Sequence, residues 1–194
     1  MNICVYGASS KTLDKSYLDA GEKLGRLMAE RGHTLVFGGG QGGLMGAVAR
    51  GMTAGKGYII GISPRYFDVD GIIYEGCDEV HVTDTMRERK QIMEDMSEAF
   101  VATPGGAGTF DELFEILTLK QVGRHNKPIA FLNTNNYYKP VFDLIDEAIE
   151  GNFMTAENRN LYAVFEDPED LLNYIESHKH TEVKDISEYK DIKD

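Results

Sequence analysis

The segment from Thr103 to Glu112, Thr-Pro-Gly-Gly-Ala-Gly-Thr-Phe-Asp-Glu, places a glycine-rich turn, a hydroxyl group and a carboxylate side by side. Residues 98–103 are apolar enough for a buried strand, and residues 113–119 have the apolar spacing of a helix. In a strand–turn–helix unit, the N–H groups of the first helical turn attract anions, and glycines let an anion approach the backbone. The pattern therefore suits a phosphate group with the Glu112 carboxylate beside it.

Glu112 also has a purely structural interpretation. Thr109-x-x-Glu112 is a capping box, in which Thr109 caps the helix and Glu112 bonds back to the Thr109 N–H group. Such boxes are common at ordinary helix starts. However, Gly105, Gly106 and Gly108 form a cluster that a simple cap does not require. Both interpretations stay open on these residues alone.

A second segment, Thr85-Met-Arg-Glu-Arg-Lys90, crowds three cations into the first two turns of a predicted helix. Thr85 and Glu88 again have capping-box spacing. Cations near a helix N-terminus face the positive end of its dipole and typically cost about 0.3–1 kcal/mol each, which a bound anion would compensate. Arg89 shares its helical face with the apolar residues three, four and seven positions later, so we expect it to point inward. An inward arginine needs a carboxylate, such as Glu112, or a phosphate.

The segment Gly38-Gly-Gly-Gln-Gly-Gly-Leu-Met-Gly46 follows a predicted strand and opens a helix. Residues 38–43 match the G-x-G-x-x-G dinucleotide pattern, but they follow the second strand, and the next strand ends without an acidic residue for a ribose. We therefore do not expect NAD binding. Close packing of the helix, or approach to an anion, explains these glycines more simply. After the first strand, Ser9 or Ser10 can donate to a phosphate or only close a turn.

The composition excludes several classes of function. The chain has 194 residues and a formal net charge of −12, which argues against binding to nucleic acid or to an anionic membrane. The two cysteines form no CxxC motif and indicate a reducing compartment, and the five scattered histidines indicate no metal site. No leader segment and no apolar run of about 20 residues is evident. We expect a cytoplasmic protein with one domain at 1–178 and a charged tail at 179–194.

The periodicity predicts alternating strands and helices, which is typical of a parallel sheet with helices on both faces. The predicted fold is a Rossmann-like, doubly wound parallel sheet in a three-layer α/β/α sandwich. Such sheets bind ligands outside the carboxyl ends of their strands, where most of the glycine clusters lie. Strands are predicted near 2–6, 34–37, 58–62, 79–82, 98–102, 128–132 and 162–165, and helices near 14–31, 43–55, 85–97, 109–122, 138–151 and 168–177.

Together these motifs resemble the LOG (Lonely Guy) family of cytokinin riboside 5′-monophosphate phosphoribohydrolases, often labelled possible lysine decarboxylases. The resemblance covers residues 2 to about 177 and rests on Pro104–Glu112, Gly38–Gly46 and Met86–Lys90, in matching order. It implies a homodimer that hydrolyses the N-glycosidic bond of a nucleoside 5′-monophosphate without a metal or cofactor. It also implies that Arg89 and Glu112 are the catalytic pair. The substrate-binding residues expected with them are Ser9, Gly39, Gly40, Met86, Lys90, Gly105, Gly106, Ala107, Gly108, Thr109 and Thr118.

The implied chemistry assigns a task to each group. We expect the N–H groups of residues 106–109 and the Thr109 hydroxyl to hold the 5′-phosphate. The Glu112 carboxylate would stabilise a sugar with oxocarbenium character or orient the attacking water. Arg89 would position the substrate and keep Glu112 ionised. The sequence identifies no proton donor for the leaving base, for which solvent suffices.

Three positions depart from the family pattern. Arg87 replaces a frequent histidine, Ala107 a frequent aromatic residue and Lys120 a common tryptophan, which bears on base preference.

Three other functions are alternatives to this hydrolase. A non-catalytic nucleotide-binding protein would need the glycine turns but not Glu112. A dehydrogenase would need the missing acidic ribose contact. A lysine decarboxylase would need a Schiff-base lysine, for which no lysine here has a recognisable setting.

Overall fold

All the predicted strands join one parallel sheet. The computed structural model describes residues 1–67 and 72–178, and the predicted tail at 179–194 lies outside the described residues. Within the described residues, seven strands pair in the order β4-β3-β2-β1-β5-β6-β7, and every pairing is parallel. The predicted doubly wound sheet is therefore confirmed. The strands are β1 (Asn2–Tyr6), β2 (Thr34–Phe37), β3 (Tyr58–Pro64), β4 (Glu79–Thr83), β5 (Ala99–Ala102), β6 (Ile129–Leu132) and β7 (Ala163–Phe165).

Helices cover both faces of this sheet, as the prediction of three layers requires. They are α1 (Lys15–Glu30), α2 (Gly43–Ala54), α3 (Met86–Met96), α4 (Ala107–Gln121), α5 (Lys139–Glu150) and α6 (Pro168–Ser177). Helices α1, α2 and α6 contribute to one buried apolar cluster, and α3, α4 and α5 pack against the other. Among residues 1–67 and 72–178, no helix is long and apolar enough to span a membrane.

The central strands are apolar throughout because both of their faces are buried. In β1, Ile3 and Val5 belong to the cluster beneath α1, α2 and α6, whereas Cys4 and Tyr6 belong to the opposite cluster. Successive side chains of a strand point to opposite faces, so a strand between two helical layers needs apolar residues at every position. This explains why the sequence shows continuous apolar runs here instead of alternation.

The order of the strands reverses between β1 and β5, and the site residues collect at this point. Consecutive strands extend from β1 in one direction through β2 to β4, and in the other through β5 to β7. The connections after β1 and β5 therefore leave the sheet side by side, with the Ala8 N–H group donating to the Pro104 carbonyl at 3.0 Å. The Thr103 hydroxyl donates to the Tyr6 carbonyl at 2.8 Å. Ligands of doubly wound sheets bind in the crevice formed at such a reversal.

Candidate active site

The glycine turn opens helix α4 two residues earlier than predicted. Gly106 is the residue preceding the helix, no side chain caps this helix, and Thr109 lies within its first turn. The predicted capping box between Thr109 and Glu112 is therefore wrong. Because the glycines let the helix start at Ala107, Thr109 is a buried helical residue and not the cap that precedes the helix. The Glu112 carboxylate is consequently available to another partner.

That partner is Arg89. Its Nη1 atom donates to Oε1 of Glu112 at 2.6 Å, and only 9% and 11% of the two side chains are exposed. The inward direction predicted from the helical spacing of Arg89 is confirmed, and so is the predicted pairing with a carboxylate. Helices α3 and α4 thus place opposite charges in contact on one face of the sheet. Charge-assisted bonds of this kind are short and strong, but removing one partner leaves a buried charge uncompensated.

Three further contacts fix the guanidinium of Arg89. Its Nε atom donates to the Ile62 carbonyl at 3.0 Å, and Nη1 also contacts Sδ of Met86 at 3.3 Å. The third contact is with a backbone that lacks a side chain. A Cβ atom built on Gly38 would lie 2.1 Å from Nη2, so the guanidinium occupies the space that any other residue at position 38 would fill.

Helix α3 itself begins with a true cap. The Thr85 hydroxyl accepts from the Glu88 N–H group at 3.1 Å, as the predicted capping box requires. The Glu88 carboxylate accepts from the N–H group of Asp84 at 2.9 Å, one residue before the expected one. This cap fixes where α3 begins and therefore the turn from which Arg89 projects.

The environment of Glu112 alters its proton affinity. Burial raises the pKa of the Glu112 carboxyl above its ordinary value of 4.5, and the neighbouring guanidinium of Arg89 opposes this rise without cancelling it. Taking a carboxylate out of water disfavours its charged form, whereas a nearby cation favours it. Arg89 favours the ionised form of Glu112, as expected, but burial has the larger effect and leaves the pKa of the carboxyl raised.

The pair faces a cavity of about 660 Å³ at the carboxyl end of the sheet. Its volume lies within the range of small-molecule sites. The cavity is lined by the predicted catalytic pair, by the first turn of α4 and by the loops that follow β1, β2 and β3. The predicted site residues that line it are Ser9, Gly40, Met86, Arg89, Gly106, Ala107, Gly108, Thr109 and Glu112.

Four other predicted substrate-binding residues do not line this cavity. Gly39 and Gly105 belong to the two glycine turns but contribute no lining atoms, and Gly105 lies so close beneath Thr109 that an added Cβ would be 2.1 Å from its hydroxyl oxygen. Lys90 and Thr118 line a separate surface groove of about 470 Å³ along α3 and α4.

The Lys90 ammonium is engaged on the surface of α4. It contacts the carboxylates of Asp111 at 3.0 Å and Glu115 at 2.7 Å, and these contacts raise its pKa against the opposing effect of burial. The Thr118 hydroxyl donates to the Phe114 carbonyl at 2.7 Å. Within one chain, neither side chain reaches the Arg89–Glu112 pair.

Eleven of the lining residues were not among the predicted site residues. Most of them lie in loops, where no periodicity indicates which way a side chain points. Lys11 and Gln41 directly follow the predicted hydroxyl loop and the predicted glycines, so proximity in sequence was a usable signal for these two. The missed residues are Gly7, Ala8, Lys11, Gly38, Gln41, Gly42, Met45, Ser63, Phe67, Ile72 and Asp111.

Two tyrosines from the β6–α5 connection hold the glycine turn from behind. The Tyr137 hydroxyl donates to the Gly105 carbonyl at 2.5 Å, and the Tyr138 hydroxyl donates to the Thr103 carbonyl at 2.7 Å. Tyr138 is fully buried. These two bonds occupy backbone carbonyls of the glycine turn and tie the turn to the β6–α5 connection.

A short strap, residues Ile72–Tyr74, crosses the other glycine loop. The Gln41 N–H group donates to the Ile72 carbonyl at 2.9 Å, and the Tyr74 N–H group donates to the Gly39 carbonyl at 2.8 Å. Gly40 and Ile73 form an antiparallel bridge between them. The strap therefore attaches the β3–β4 connection to the loop after β2 through backbone bonds.

Of the three departures from the family pattern, only Ala107 lies at the cavity. Arg87 is exposed on α3. Lys120 donates to the Lys127 carbonyl at 3.0 Å, and burial lowers its pKa to about 8. In the described part of the chain, no group of three or more histidine, cysteine, aspartate or glutamate side chains is placed to hold a metal ion.

Several known proteins are similar to this chain in sequence. The family model described as possible lysine decarboxylase matches residues 45–175. A probable cytokinin riboside 5′-monophosphate phosphoribohydrolase of Oryza sativa subsp. japonica, LOGL2, is 36% identical over 188 residues, which are 97% of this chain and 77% of that protein. The cytokinin riboside 5′-monophosphate phosphoribohydrolase LOG of the same species is 40% identical over 159 residues, which are 82% of this chain and 66% of that protein.

A solved structure with a similar course of the chain is the molybdenum cofactor carrier protein of Chlamydomonas reinhardtii. It superposes with a TM-score of 0.68, covering 90% of this chain and 95% of that chain at 24% identity. At this identity the likeness shows the fold alone.

The close approach of Arg89 to position 38 generates a stability prediction. A Gly38→Ala substitution forces the guanidinium to move and weakens its contact with the buried Glu112 carboxylate. We expect the free energy of unfolding, measured by urea denaturation, to fall by about 1–3 kcal/mol. Gly108→Ala is the matched control, because its Cβ would enter open space within α4, where alanine favours the helix by up to about 1 kcal/mol. Equal effects of the two substitutions would contradict this packing of Arg89 on Gly38.

Proposed function

The chain belongs to the family described as possible lysine decarboxylase, and we propose that it hydrolyses the N-glycosidic bond of a purine nucleoside 5′-monophosphate. The products are the free base and ribose 5-phosphate. Relatives named as cytokinin riboside 5′-monophosphate phosphoribohydrolases, similar over most of this chain, support the proposal. The observation that carries it is the buried Arg89–Glu112 pair, which shares one cavity with the N-terminus of α4.

The first turn of α4 is the proposed phosphate site. Its leading N–H groups have no acceptor within the helix, and the helix dipole adds partial positive charge at this end. Residues 106–109 line the cavity, and Ser9 and Lys11 of the neighbouring loop lie on the same cavity. A 5′-phosphate bound there would hold the ribose at a fixed distance from Glu112, on the next turn of the same helix.

Two atoms of the catalytic pair carry the proposed chemistry. Arg89 Nη1 engages Oε1 of Glu112, and in our proposal Glu112 Oε2 binds the reacting water while Arg89 Nη2 binds a ribose hydroxyl. As the bond between C1′ and the base nitrogen breaks, its electron pair leaves with the base and the sugar gains positive charge, which the carboxylate stabilises. The water loses a proton to Glu112, its oxygen bonds to C1′, and the departing base takes up a proton from solvent.

The family description also refers to lysine decarboxylation, a reaction that the side chains lining this cavity do not favour. Lys120 is the lysine whose pKa burial lowers to about 8, and a lowered pKa favours a nucleophilic amine. Its ammonium, however, donates to the Lys127 carbonyl and does not line the cavity of Arg89 and Glu112. A glycosidic hydrolase accounts for the buried ion pair, whereas a decarboxylase leaves it without a task.

We also propose the domain extent, substrate, compartment and oligomeric state that the family resemblance implies. Residues 1–178 are taken as one hydrolase domain. AMP is the simplest substrate, and the cytoplasm is the proposed compartment, supported by the free thiols of Cys4 and Cys77.

The protein is proposed to form a homodimer through the groove on α3 and α4. This groove combines apolar side chains such as Phe114, which is 40% exposed, with charges of both signs. Such a surface suits pairing with its own copy about a two-fold axis.

The hydrolase proposal is tested by following free base released from AMP and from isopentenyladenosine 5′-monophosphate. We expect Glu112→Gln to lower kcat by at least about 100-fold, because the amide keeps the shape of the side chain but supplies neither charge nor base. Thermal unfolding of the variant verifies that it is folded. Glu147→Gln is the control that retains kcat, because Glu147 is exposed on α5 and lines neither the cavity nor the groove.

The same assay separates the proposed reaction from the alternatives. The corresponding nucleosides should react far more slowly, since they lack the phosphate that the α4 turn holds. Saturable AMP binding by the wild-type protein without any release of base would identify a binding protein instead. Equal rates with nucleosides and monophosphates would refute the phosphate anchor.

The proton affinity of Glu112 gives a second test. Its pKa is raised above 4.5 by burial, and the reaction requires the ionised form. Activity should therefore be complete at high pH and fall as the pH decreases through this raised value. We expect the ¹³C resonance of the Glu112 side-chain carboxyl, assigned by its disappearance in Glu112→Gln, to titrate with a midpoint above 4.5. A midpoint at or below that value would show that the Arg89 cation outweighs burial.

The proposed homodimer is tested by the mass in solution. Light scattering after size exclusion should give twice the chain mass of 21.6 kDa. Phe114→Glu places an additional charge in the groove and should yield monomers. Leu144→Glu is the matched control, because Leu144 is 64% exposed on α5 and does not line the groove. A monomeric wild-type protein, or a Phe114→Glu variant that stays dimeric, would contradict this interface.

A further inference from the structure

The groups that line the cavity follow a linear order along the carboxyl edge of the sheet. The α4 turn follows β5, the Ser9 loop follows β1, the Gly38 loop follows β2, and Phe67 lies just after β3. These four strands are consecutive neighbours in the sheet. Since adjacent strands lie about 4.8 Å apart, the phosphate end and the Phe67 end are separated by roughly 14 Å along this edge.

The Arg89–Glu112 pair lies between these two ends. Glu112 projects from α4, which follows β5, while the Arg89 guanidinium contacts the Ile62 carbonyl of β3 and lies over Gly38 after β2. A nucleotide has the same order of parts, namely phosphate, ribose and base. With the phosphate on the α4 turn and the ribose at the ion pair, the base extends toward β3.

Among the described residues, the β3 end of the cavity combines Ser63 with the apolar side chains of Phe67 and Ile72. Phe67 is the one aromatic side chain among the described residues that line the cavity, and it is 42% exposed. Tyr66 packs edge-on against it, with ring centroids 4.9 Å apart. Ile72, which is 40% exposed, lines the same cavity and is held in place by the strap across the glycine loop. Partly exposed apolar side chains beside a polar site indicate a surface that a ligand covers.

We propose that Phe67, together with Ile72, forms the wall on which the nucleobase stacks, and that Phe67 determines how strongly the site prefers a base-bearing nucleotide to a base-free sugar phosphate. This inference rests on the proposed function only for the identity of the ligand as a nucleoside 5′-monophosphate. An aromatic ring offers its face to any base, and such stacking changes affinity by roughly 5- to 150-fold per base. The charged groups at the other end of the cavity contact only the parts that both ligands share.

Binding measurements test the wall independently of catalysis. In a Glu112→Gln background, which blocks turnover, isothermal titration compares AMP with ribose 5-phosphate. We expect AMP to bind more tightly than ribose 5-phosphate. Phe67→Leu should weaken AMP binding about tenfold while leaving ribose 5-phosphate unchanged, because leucine keeps apolar bulk but removes the ring. Phe67→Tyr should restore the affinity for AMP.

Tyr58→Ala is the control, since Tyr58 is 49% exposed at the opposite end of β3, away from the cavity. In the catalytically intact protein, Phe67→Leu should raise KM for AMP with a smaller change in kcat. Equal affinity of the Glu112→Gln protein for AMP and ribose 5-phosphate would contradict the proposal that the base stacks on Phe67. So would a Phe67→Leu variant that binds AMP as tightly as its parent. Absence of base release by the wild-type protein would refute the hydrolase proposal, yet a loss of AMP affinity confined to Phe67→Leu would still establish the wall.

Discussion

The ion pair between Arg89 and Glu112 is the interaction on which the rest of the site depends. Two nearly buried charges lose most of their hydration, at a cost of several kcal/mol each, and their mutual attraction offsets this only in good geometry with additional partners. The Ile62 carbonyl and the Met86 sulfur supply such partners for the guanidinium. Gly38 supplies the space in which it lies. The ion pair fixes the position of the carboxylate, and burial keeps its pKa raised against the opposing effect of the guanidinium. Both properties suit the proposed catalytic base.

The parallel sheet explains how groups so distant in sequence meet. Arg89 and Glu112 project from α3 and α4, which cover the same face, and the strand order reverses beside them. Every loop that follows a strand then opens at one edge. The hydroxyl loop, both glycine loops and the β3–β4 connection therefore surround one cavity without any of them having to be long. Tyr137 and Tyr138 add support from the β6–α5 connection.

The sequence predicts the architecture and the inward direction of Arg89 well because both are encoded by periodicity. The catalytic role of Arg89 and Glu112 comes from the family resemblance and stays a prediction. Continuous apolar runs indicate the central strands, and the helical spacing of Arg89 places it inward. Prediction fails where local and tertiary effects compete. The Thr109–Glu112 spacing matches a cap, but the glycines let α4 begin at Ala107 and the carboxylate pairs with α3 instead. Lys90 is similarly drawn to carboxylates on α4, away from the cavity. Phe67 lies on a short 3-10 turn, Arg65–Phe67, whose direction toward the cavity no periodic pattern encodes.

The attachment of the Ile72–Tyr74 strap has a consequence for substitutions at this end of the cavity. The bonds that fix it to the glycine loop join backbone atoms on both sides. These bonds do not depend on the identity of the side chains, so a substitution of Ile72 changes the lining of the cavity and leaves the bonds in place. The ion pair, by contrast, is constrained by Gly38, by Ile62 and by two helices at once. A substitution in the described part of the β3–β4 connection can thus reshape one end of the cavity while the ion pair keeps its partners.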